Sequence, residues 1–221
     1  QQFDSAHLMF QFINYAFAEK EKDGYYKTIG SAMDGNNALK ISTKEKSSLP
    51  RKMFSEPPSR NEAFIWQIRN YLAQDRFAAA AALTAILKND PNFPSRLQND
   101  LEEVQAYSFY KQEMWDSSAA HLENALSNAT SKGEQARWEF LLGQLYEITG
   151  KADKSEEFYN KSIGHTTNPI LDVYARLALI RVNEDASENY IQHNIDQLLK
   201  MAKRDKYVDY RDIIYYMAAQ M

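Results

Sequence analysis

The chain has 221 residues, of which 44% are hydrophobic, 13% aromatic and 25% charged. This composition is typical of a globular protein and excludes a disordered or fibrous chain. The 26 Lys and Arg against 30 Asp and Glu give a formal net charge of −4, which argues against nucleic acid or an anionic membrane surface as a partner. With no cysteine, disulfides, thiolate nucleophiles and cysteine-bound metals are excluded, and the redox compartment stays open.

Two features of the sequence concern its ends and membranes. No run of about 18 apolar residues occurs, so the sequence predicts no transmembrane helix. The first residues lack the basic start and apolar stretch of a signal peptide, so we expect any leader to have lain upstream. The apolar pattern of the last helix is still running at Met221, and we therefore expect a segment of a longer repeat protein.

The N-terminal stretch 3–18 predicts a helix of aromatic character, with Phe10, Phe12, Tyr15 and Phe17. Such a helix needs cover from neighbouring elements. We interpret residues 1–18 as the end helix of a preceding repeat.

Residues 19–60 are polar and rich in turn signals, which predicts a long irregular excursion. A connection of this length inside a compact domain is usually functional or disordered, and we expect an ordered one. Its isolated apolar residues are candidate anchors: Tyr25, Tyr26, Ile29, Leu39, Ile41, Leu49, Met53 and Phe54. We hypothesise that residues 42–58 occupy a binding groove of the same chain, as an internal ligand or gate.

From about residue 60 onward, strong helix formers carry apolar residues at three- and four-residue spacing. Short polar breaks separate the helices, and such short connections favour antiparallel pairs. After an apolar stripe at 64–72, the predicted helices are 77–88, 97–111, 115–127, 134–148, 152–163, 170–182, 187–203 and one from about 209.

The helix pairs repeat. Leu142-Gly143, then Tyr146, then Gly150, resemble the tetratricopeptide (TPR) pattern, in which a small residue lets two helices approach and an aromatic fills the space between them. The residues that align with Gly143 are Ile68, Ala106, Ala178 and Ala218, at successive spacings of 38, 37, 35 and 40 along the chain. The resemblance implies an all-α fold, a right-handed α-solenoid of TPR-like antiparallel helix pairs. The predicted repeats are 61–98, 99–135, 136–170, 171–210 and a truncated one at 211–221.

Some positions depart from the TPR pattern. Trp138 stands one residue before the usual tryptophan, and Gln67 and Gln105 replace the leucine of the Leu-Gly pair. The helix predicted at 187–203 does not align cleanly with the others.

Four short stretches of sequence point to one family. They are 10–17 (Phe-Gln-Phe-Ile-Asn-Tyr-Ala-Phe), 41–46 (Ile-Ser-Thr-Lys-Glu-Lys), 57–62 (Pro-Pro-Ser-Arg-Asn-Glu) and 206–216 (Lys-Tyr-Val-Asp-Tyr-Arg-Asp-Ile-Ile-Tyr-Tyr). Together they resemble the large TPR lipoprotein of Bacteroidetes gliding motility and type IX secretion. The resemblance implies a scaffold anchored by lipid at the periplasmic face of the outer membrane, with other secretion-machinery proteins as partners. The lipid-bearing cysteine of that family is not in this sequence, and composition alone leaves a cytoplasmic location open.

Catalytic and metal-binding patterns are weak in this sequence. The four histidines occur without metal-ligand spacing. The carboxylate pairs Glu102-Glu103 and Glu156-Glu157 are typical of solvated helix faces, and no phosphate-binding loop or nucleophile elbow is present. We therefore predict no enzyme activity, no cofactor and no metal.

The TPR resemblance implies a concave groove lined by the first helix of each pair. Carried over by position, the candidate partner-binding residues are Arg69, Leu72, Tyr107, Tyr110, Lys111, Gln144, Glu147, Leu179 and Val182.

The function predicted from these patterns is a non-catalytic protein-interaction scaffold. One alternative is a generic TPR peptide-binding adaptor or co-chaperone, which would need a basic cluster to hold acidic peptide termini. Another is a helical-repeat carbohydrate-active periplasmic protein, which would need two carboxylates about 5–10 Å apart in a cleft.

Overall fold

The computed structural model describes residues 2–16, 41–45, 59–182 and 188–220. Within these ranges all regular secondary structure is helical and no strand occurs, so the all-α prediction is confirmed for the described residues. The α-helices there are α1 (Gln2–Ala16), α2 (Ser59–Ala73), α3 (Phe77–Asn89), α4 (Gln98–Lys111), α5 (Trp115–Ala125), α6 (Lys132–Ile148), α7 (Ala152–His165), α8 (Pro169–Val182), α9 (Glu188–Ala202) and α10 (Arg211–Gln220). Short 3-10 segments occur at Ser95–Leu97, Leu126–Asn128 and Asp205–Tyr210.

The predicted helix bounds from residue 77 onward agree with these helices to within one or two residues. The polar excursion predicted at 19–60 ends earlier than expected, because α2 already begins at Ser59. Of its predicted anchors, Ile41 packs against the apolar core of the first helices. The other anchors, and most of the segment 42–58, lie outside the described residues.

Contacts divide the chain into two compact units, Gln1–Gln112 and Glu113–Met221. The division falls inside the predicted repeat 99–135, between its two helices. The reason is that α4 packs against α2 and α3 of the first unit, whereas α5 packs against α6 of the second.

In the first unit, α2 is the central helix and packs against α1, α3 and α4. Its buried apolar residues share one core with α3 and α4. The core contains Phe64, Ile65, Ile68, Leu72, Ala80, Leu87, Phe93, Leu97, Leu101 and Val104. Gln67 stands at a position where the TPR pattern has leucine, and it makes polar contacts. It accepts a hydrogen bond from the Asn14 amide of α1 (2.8 Å) and donates to the Tyr71 hydroxyl (2.9 Å).

Three short turns between helices share one backbone feature. The middle residue of each three-residue turn has a left-handed backbone, with φ 55° at Asp75, 58° at Glu113 and 71° at Gly150. In two of them the following N–H closes the helix end: Arg76 donates to the Tyr71 carbonyl (2.9 Å) and Lys151 to the Tyr146 carbonyl (2.8 Å). This six-to-one hydrogen bond is the Schellman arrangement, which directs the next helix back along the first.

In the second unit, α6 and α7 approach each other at Gly143. A Cβ built on Gly143 would lie 2.6 Å from the Tyr159 ring, so only glycine fits there. The Ser155 hydroxyl donates to the Gly143 carbonyl (2.8 Å), and Tyr146 is buried and stacks on Phe158 with ring centroids 5.6 Å apart. The close approach predicted at Gly143 and the burial predicted for Tyr146 are confirmed.

The C-terminal half of the second unit has its own apolar cluster, contributed by α8, α9, the 3-10 segment Asp205–Tyr210 and α10. Its buried members are Val173, Leu177, Leu198, Met201, Ala202, Tyr207 and Ile214.

We predict that Gly143→Ala lowers the free energy of unfolding by about 1–3 kcal/mol, because the added methyl group overpacks the interface with the fully buried Tyr159. Gly133→Ala, also in α6, is the matched control. A Cβ at Gly133 meets no atom within 4 Å, so this change is neutral or stabilises by up to about 1 kcal/mol through helix propensity. Urea unfolding measures both, and an equal effect of the two substitutions would contradict the close approach.

Candidate functional site

The predicted groove residues of the first unit lie on α2 and α4, and they differ in accessibility. Leu72 is fully buried in the core, so its prediction as a groove residue is wrong. Leu72 follows Ile65 and Ile68 at seven and four residues, and this spacing keeps all three on the core side of α2.

Tyr107 and Tyr110 present aromatic surface to solvent. They are three residues apart on α4, with 46% and 43% of their surface exposed. On α2, Trp66 is 52% exposed. We call Trp66, Tyr107 and Tyr110 the aromatic surface. Sequence reasoning missed Trp66, although its position between the buried Ile65 and Gln67 places it off the apolar stripe of α2.

Arg69 links α2 to α4 beside Trp66. Its guanidinium lies 4.5 Å from the centroid of the Trp66 ring and donates to the Glu103 carboxylate (2.9 Å), one helical turn before Tyr107. A pocket of about 260 Å³ lies beside Trp66 and Arg69. It is lined by Glu62, Ile65, Trp66, Arg69, Arg96, Leu97 and Asp100.

Lys111, another predicted groove residue, is engaged inside the first unit. Its ammonium donates to the Leu72 carbonyl (2.8 Å) and to the Asp75 carboxylate. The hydrogen bond to Asp75 raises the pKa of Lys111 above its ordinary value. Lys111 therefore caps the end of α2 and stabilises the turn that follows.

The remaining predicted residues lie in the second unit. Gln144 is exposed, and Leu179 and Val182 are half-buried. Glu147 accepts two hydrogen bonds from Arg181 (2.6 and 3.0 Å) and one from the Tyr159 hydroxyl (2.7 Å). Desolvation alone would raise the pKa of Glu147, but the hydrogen bonds from Arg181 and Tyr159 outweigh it and lower that pKa.

Ion pairs recur at one sequence separation in both units. The partners lie 34 to 36 residues apart along the chain, which is close to the 34-residue TPR length. These pairs are Arg69–Glu103, Arg96–Glu62, Lys111–Asp75, Lys151–Asp116, Arg181–Glu147 and Lys206–Asp172. Five of these pairs are partly exposed and contribute little to stability, so they indicate which helices lie side by side and not what stabilises them.

Two buried carboxylates lie in the second unit. Asp172 is fully buried and accepts hydrogen bonds from the Tyr207 hydroxyl (2.6 Å), Arg176 (2.9 Å) and Lys206. Glu139, 1% exposed, contacts His165 Nδ1 (2.8 Å) and Gln135 (3.1 Å). Desolvation alone would raise the pKa of Asp172, but the hydrogen bonds from Lys206 and Tyr207 and the charge of Arg176 lower it.

A second pocket, of about 210 Å³, lies between α8 and α9. Three cationic side chains, Arg176, Lys200 and Arg204, surround an apolar floor that includes Leu198 and Met201. Leu179, one of the predicted groove residues, also lines it. The basic residues of this pocket come from α8, from α9 and from the turn after α9, so their grouping was not visible in the sequence.

The described residues contain neither a metal-binding cluster nor a membrane-spanning helix. No group of three or more His, Asp and Glu there is placed to hold a metal ion. In the same part of the chain, no helix has both the length and the apolar character needed to cross a bilayer.

No protein-family model matches this chain, and no curated protein or solved structure is significantly similar to it. The family resemblance found in the sequence therefore stays a prediction.

We predict that Asp172→Asn lowers the free energy of unfolding by about 1–3 kcal/mol at pH 7, because Lys206 and Arg176 lose their charged partner. The folded-state pKa of Asp172 is lowered, so its stabilising contribution is full above the unfolded value of about 3.9. That contribution is lost as the pH falls through the folded-state pKa.

The measurement is urea unfolding of both proteins from pH 7 down to pH 3, with the exposed Asp209→Asn as control. The difference between wild type and Asp172→Asn narrows below about pH 4. A difference that stayed constant over this range would contradict the assigned role of the Asp172 charge.

Proposed function

We propose that this protein is a non-catalytic protein-interaction scaffold built from TPR-like helix pairs. Three observations support the repeat organisation. The left-handed turn residues Asp75, Glu113 and Gly150 are 38 and 37 residues apart, ion pairs join residues 34 to 36 positions apart, and each unit packs sequential helices side by side. A right-handed solenoid is the arrangement that stacks such pairs into a continuous core.

The observation that carries the function is the aromatic surface of the first unit. Trp66, Tyr107 and Tyr110 each leave between 43% and 52% of their surface in solvent. Large exposed aromatic side chains lower the solubility of a protein unless a partner covers them. Trp, Tyr and Arg are the residues most often found at protein-binding hot spots. Arg69 beside Trp66 adds a fourth residue of hot-spot type. We infer that this surface binds a protein partner.

The proposed setting is the type IX secretion and gliding machinery of Bacteroidetes. This setting is supported by the co-occurrence of the four sequence stretches 10–17, 41–46, 57–62 and 206–216. In that setting the protein acts at the periplasmic face of the outer membrane, held by a lipid anchor outside this sequence, and recruits other components of the machinery.

A second candidate function is a peptide-binding adaptor that takes acidic segments. The pocket between α8 and α9 favours it, because Arg176, Lys200 and Arg204 supply positive charge around an apolar floor. The carbohydrate-active alternative gains no support from Asp172 or Glu139, since both are buried and hydrogen-bonded inside the second unit.

The test is affinity capture from an envelope extract of the source organism, with the captured proteins identified by mass spectrometry. Tyr107→Ala/Tyr110→Ala is compared with wild type and with Tyr174→Ala, which removes an equally exposed tyrosine (45%) of the second unit. We expect wild type and Tyr174→Ala to capture secretion-machinery proteins, and the double variant to capture at least tenfold less because its hot-spot side chains are gone.

Thermal unfolding of each variant checks that the fold is retained. Equal capture by the double variant would contradict the assignment to the aromatic surface. Capture of proteins unrelated to secretion by all three would contradict the proposed setting and leave a scaffold of another system.

A further inference from the structure

A short non-helical segment of this chain, residues 41–45, is bound on the first unit as a peptide would be. We call it the strap; its sequence is Ile-Ser-Thr-Lys-Glu. Ile41 packs against the apolar core of α2, α3 and α4, and Glu45 accepts hydrogen bonds from Arg96 (3.0 to 3.2 Å). The strap is thus held by an apolar residue at one end and a carboxylate at the other.

Between these ends, side chains of the first unit bind the strap backbone. The Asp90 carboxylate accepts the Ser42 N–H (2.6 Å). The Asn61 amide binds Thr43 twice, accepting its N–H (2.9 Å) and donating to its carbonyl (2.8 Å). Contacts to backbone groups do not depend on side-chain identity, which is how peptide-binding sites obtain affinity.

Three of the four binding side chains, those of Asp90, Arg96 and Arg60, are also held by contacts outside the strap. Asp90 also accepts the Asn92 N–H (2.8 Å), and Arg96 is held by Glu62 (2.7 Å). Arg60, which donates to the Thr43 hydroxyl (3.2 Å), is fixed by the Asn14 carbonyl (2.8 Å). The site therefore keeps much of its shape when the strap leaves, and such preorganisation reduces the cost of binding a replacement.

Asn61 is dedicated to the occupant. This side chain is fully buried, and its hydrogen bonds in the described structure go to Thr43 and Glu45 of the strap. An amide buried in this way is costly unless a peptide lies against it. Asn61 thus selects for an occupied site.

The strap is an imperfect occupant. The Ser42 hydroxyl is buried and finds no hydrogen-bond partner among the described residues. A buried unsatisfied hydroxyl weakens the bound state, so a peptide with alanine at this position fits better than the chain's own residue.

We propose that Asn61, Asp90, Arg60 and Arg96 form a binding site for a linear peptide, which the strap fills in cis. The ligand in trans is a partner segment with an apolar residue followed four positions later by a carboxylate. This inference rests on the proposed function and adds to it a second recognition site of the first unit, which uses none of the residues of the aromatic surface. A tethered occupant acts at an effective concentration in the millimolar range, so the strap makes binding of the partner competitive.

The test uses the full chain and a fluorescein-labelled peptide of residues 38–48. An emptied variant, Ile41→Gly/Thr43→Pro/Glu45→Lys, loses the apolar anchor, the N–H bound by Asn61 and the charge bound by Arg96. We expect saturable binding of the peptide to the emptied variant, at least tenfold tighter than to wild type by fluorescence anisotropy. Adding Asn61→Ala to the emptied variant abolishes binding.

Peptide variants sharpen the result. Ser42→Ala in the peptide binds several-fold tighter, Thr43→Pro does not bind, and Lys44→Ala, which changes an exposed residue, binds as the parent does. Absence of binding to a folded emptied variant overturns the inference, and so does equal binding of the Thr43→Pro peptide. Affinity capture with wild type is independent of these outcomes, so a failed peptide site is distinguishable from a failed scaffold.

Native-state hydrogen exchange of wild type decides the case in which the emptied variant does not fold. For a dissociable occupant, the amides of Ser42 and Thr43 exchange through a local opening whose rate is insensitive to low denaturant, while core amides of α2 remain protected. Exchange of Thr43 only through global unfolding would overturn the inference and make the strap a permanent part of the core.

Discussion

The reversal of the chain within three residues is the constraint on which both units depend. The turn at Asp75 in the first unit and the turn at Gly150 in the second each place their middle residue in the left-handed region, and thereby return the second helix along the first. Once helices are paired in this way, each pair exposes an apolar side that a neighbour must cover. The close approach at Gly143 belongs to the pairing of α6 with α7, and the ion pairs at 34 to 36 residues join a pair to the helix that covers it.

Local sequence patterns predicted the positions of the helices and the close contact between α6 and α7. Apolar spacing located the helices, and Gly143 with Tyr146 indicated where α6 meets α7, because a missing Cβ and a large ring leave few packing solutions. The same reasoning failed at Leu72. Carrying a family position over to that residue assigned it to a groove, whereas its own spacing from Ile65 and Ile68 assigns it to the core.

Contacts between distant residues could not be predicted. Ser42 of the strap binds Asp90, which lies 48 positions further along the sequence, and Asp172 binds Tyr207, which lies 35 positions further along. No local sequence pattern indicates either contact. Glu113 gave no turn signal in the sequence, since glutamate rarely adopts a left-handed backbone. Tertiary contacts also decide which of the predicted groove residues are accessible. The aromatic surface is exposed, whereas the Lys111 ammonium is already bound to Asp75 and to the Leu72 carbonyl.

The central claim is that the aromatic surface of the first unit contacts a protein partner. A photo-crosslinking amino acid incorporated at Tyr107, in the full chain and within cells of the source organism, tests it most directly. The account predicts covalent capture of a partner protein from position 107 and none from Tyr174, an equally exposed position. Capture from position 174 but not from 107, or from neither, would contradict it.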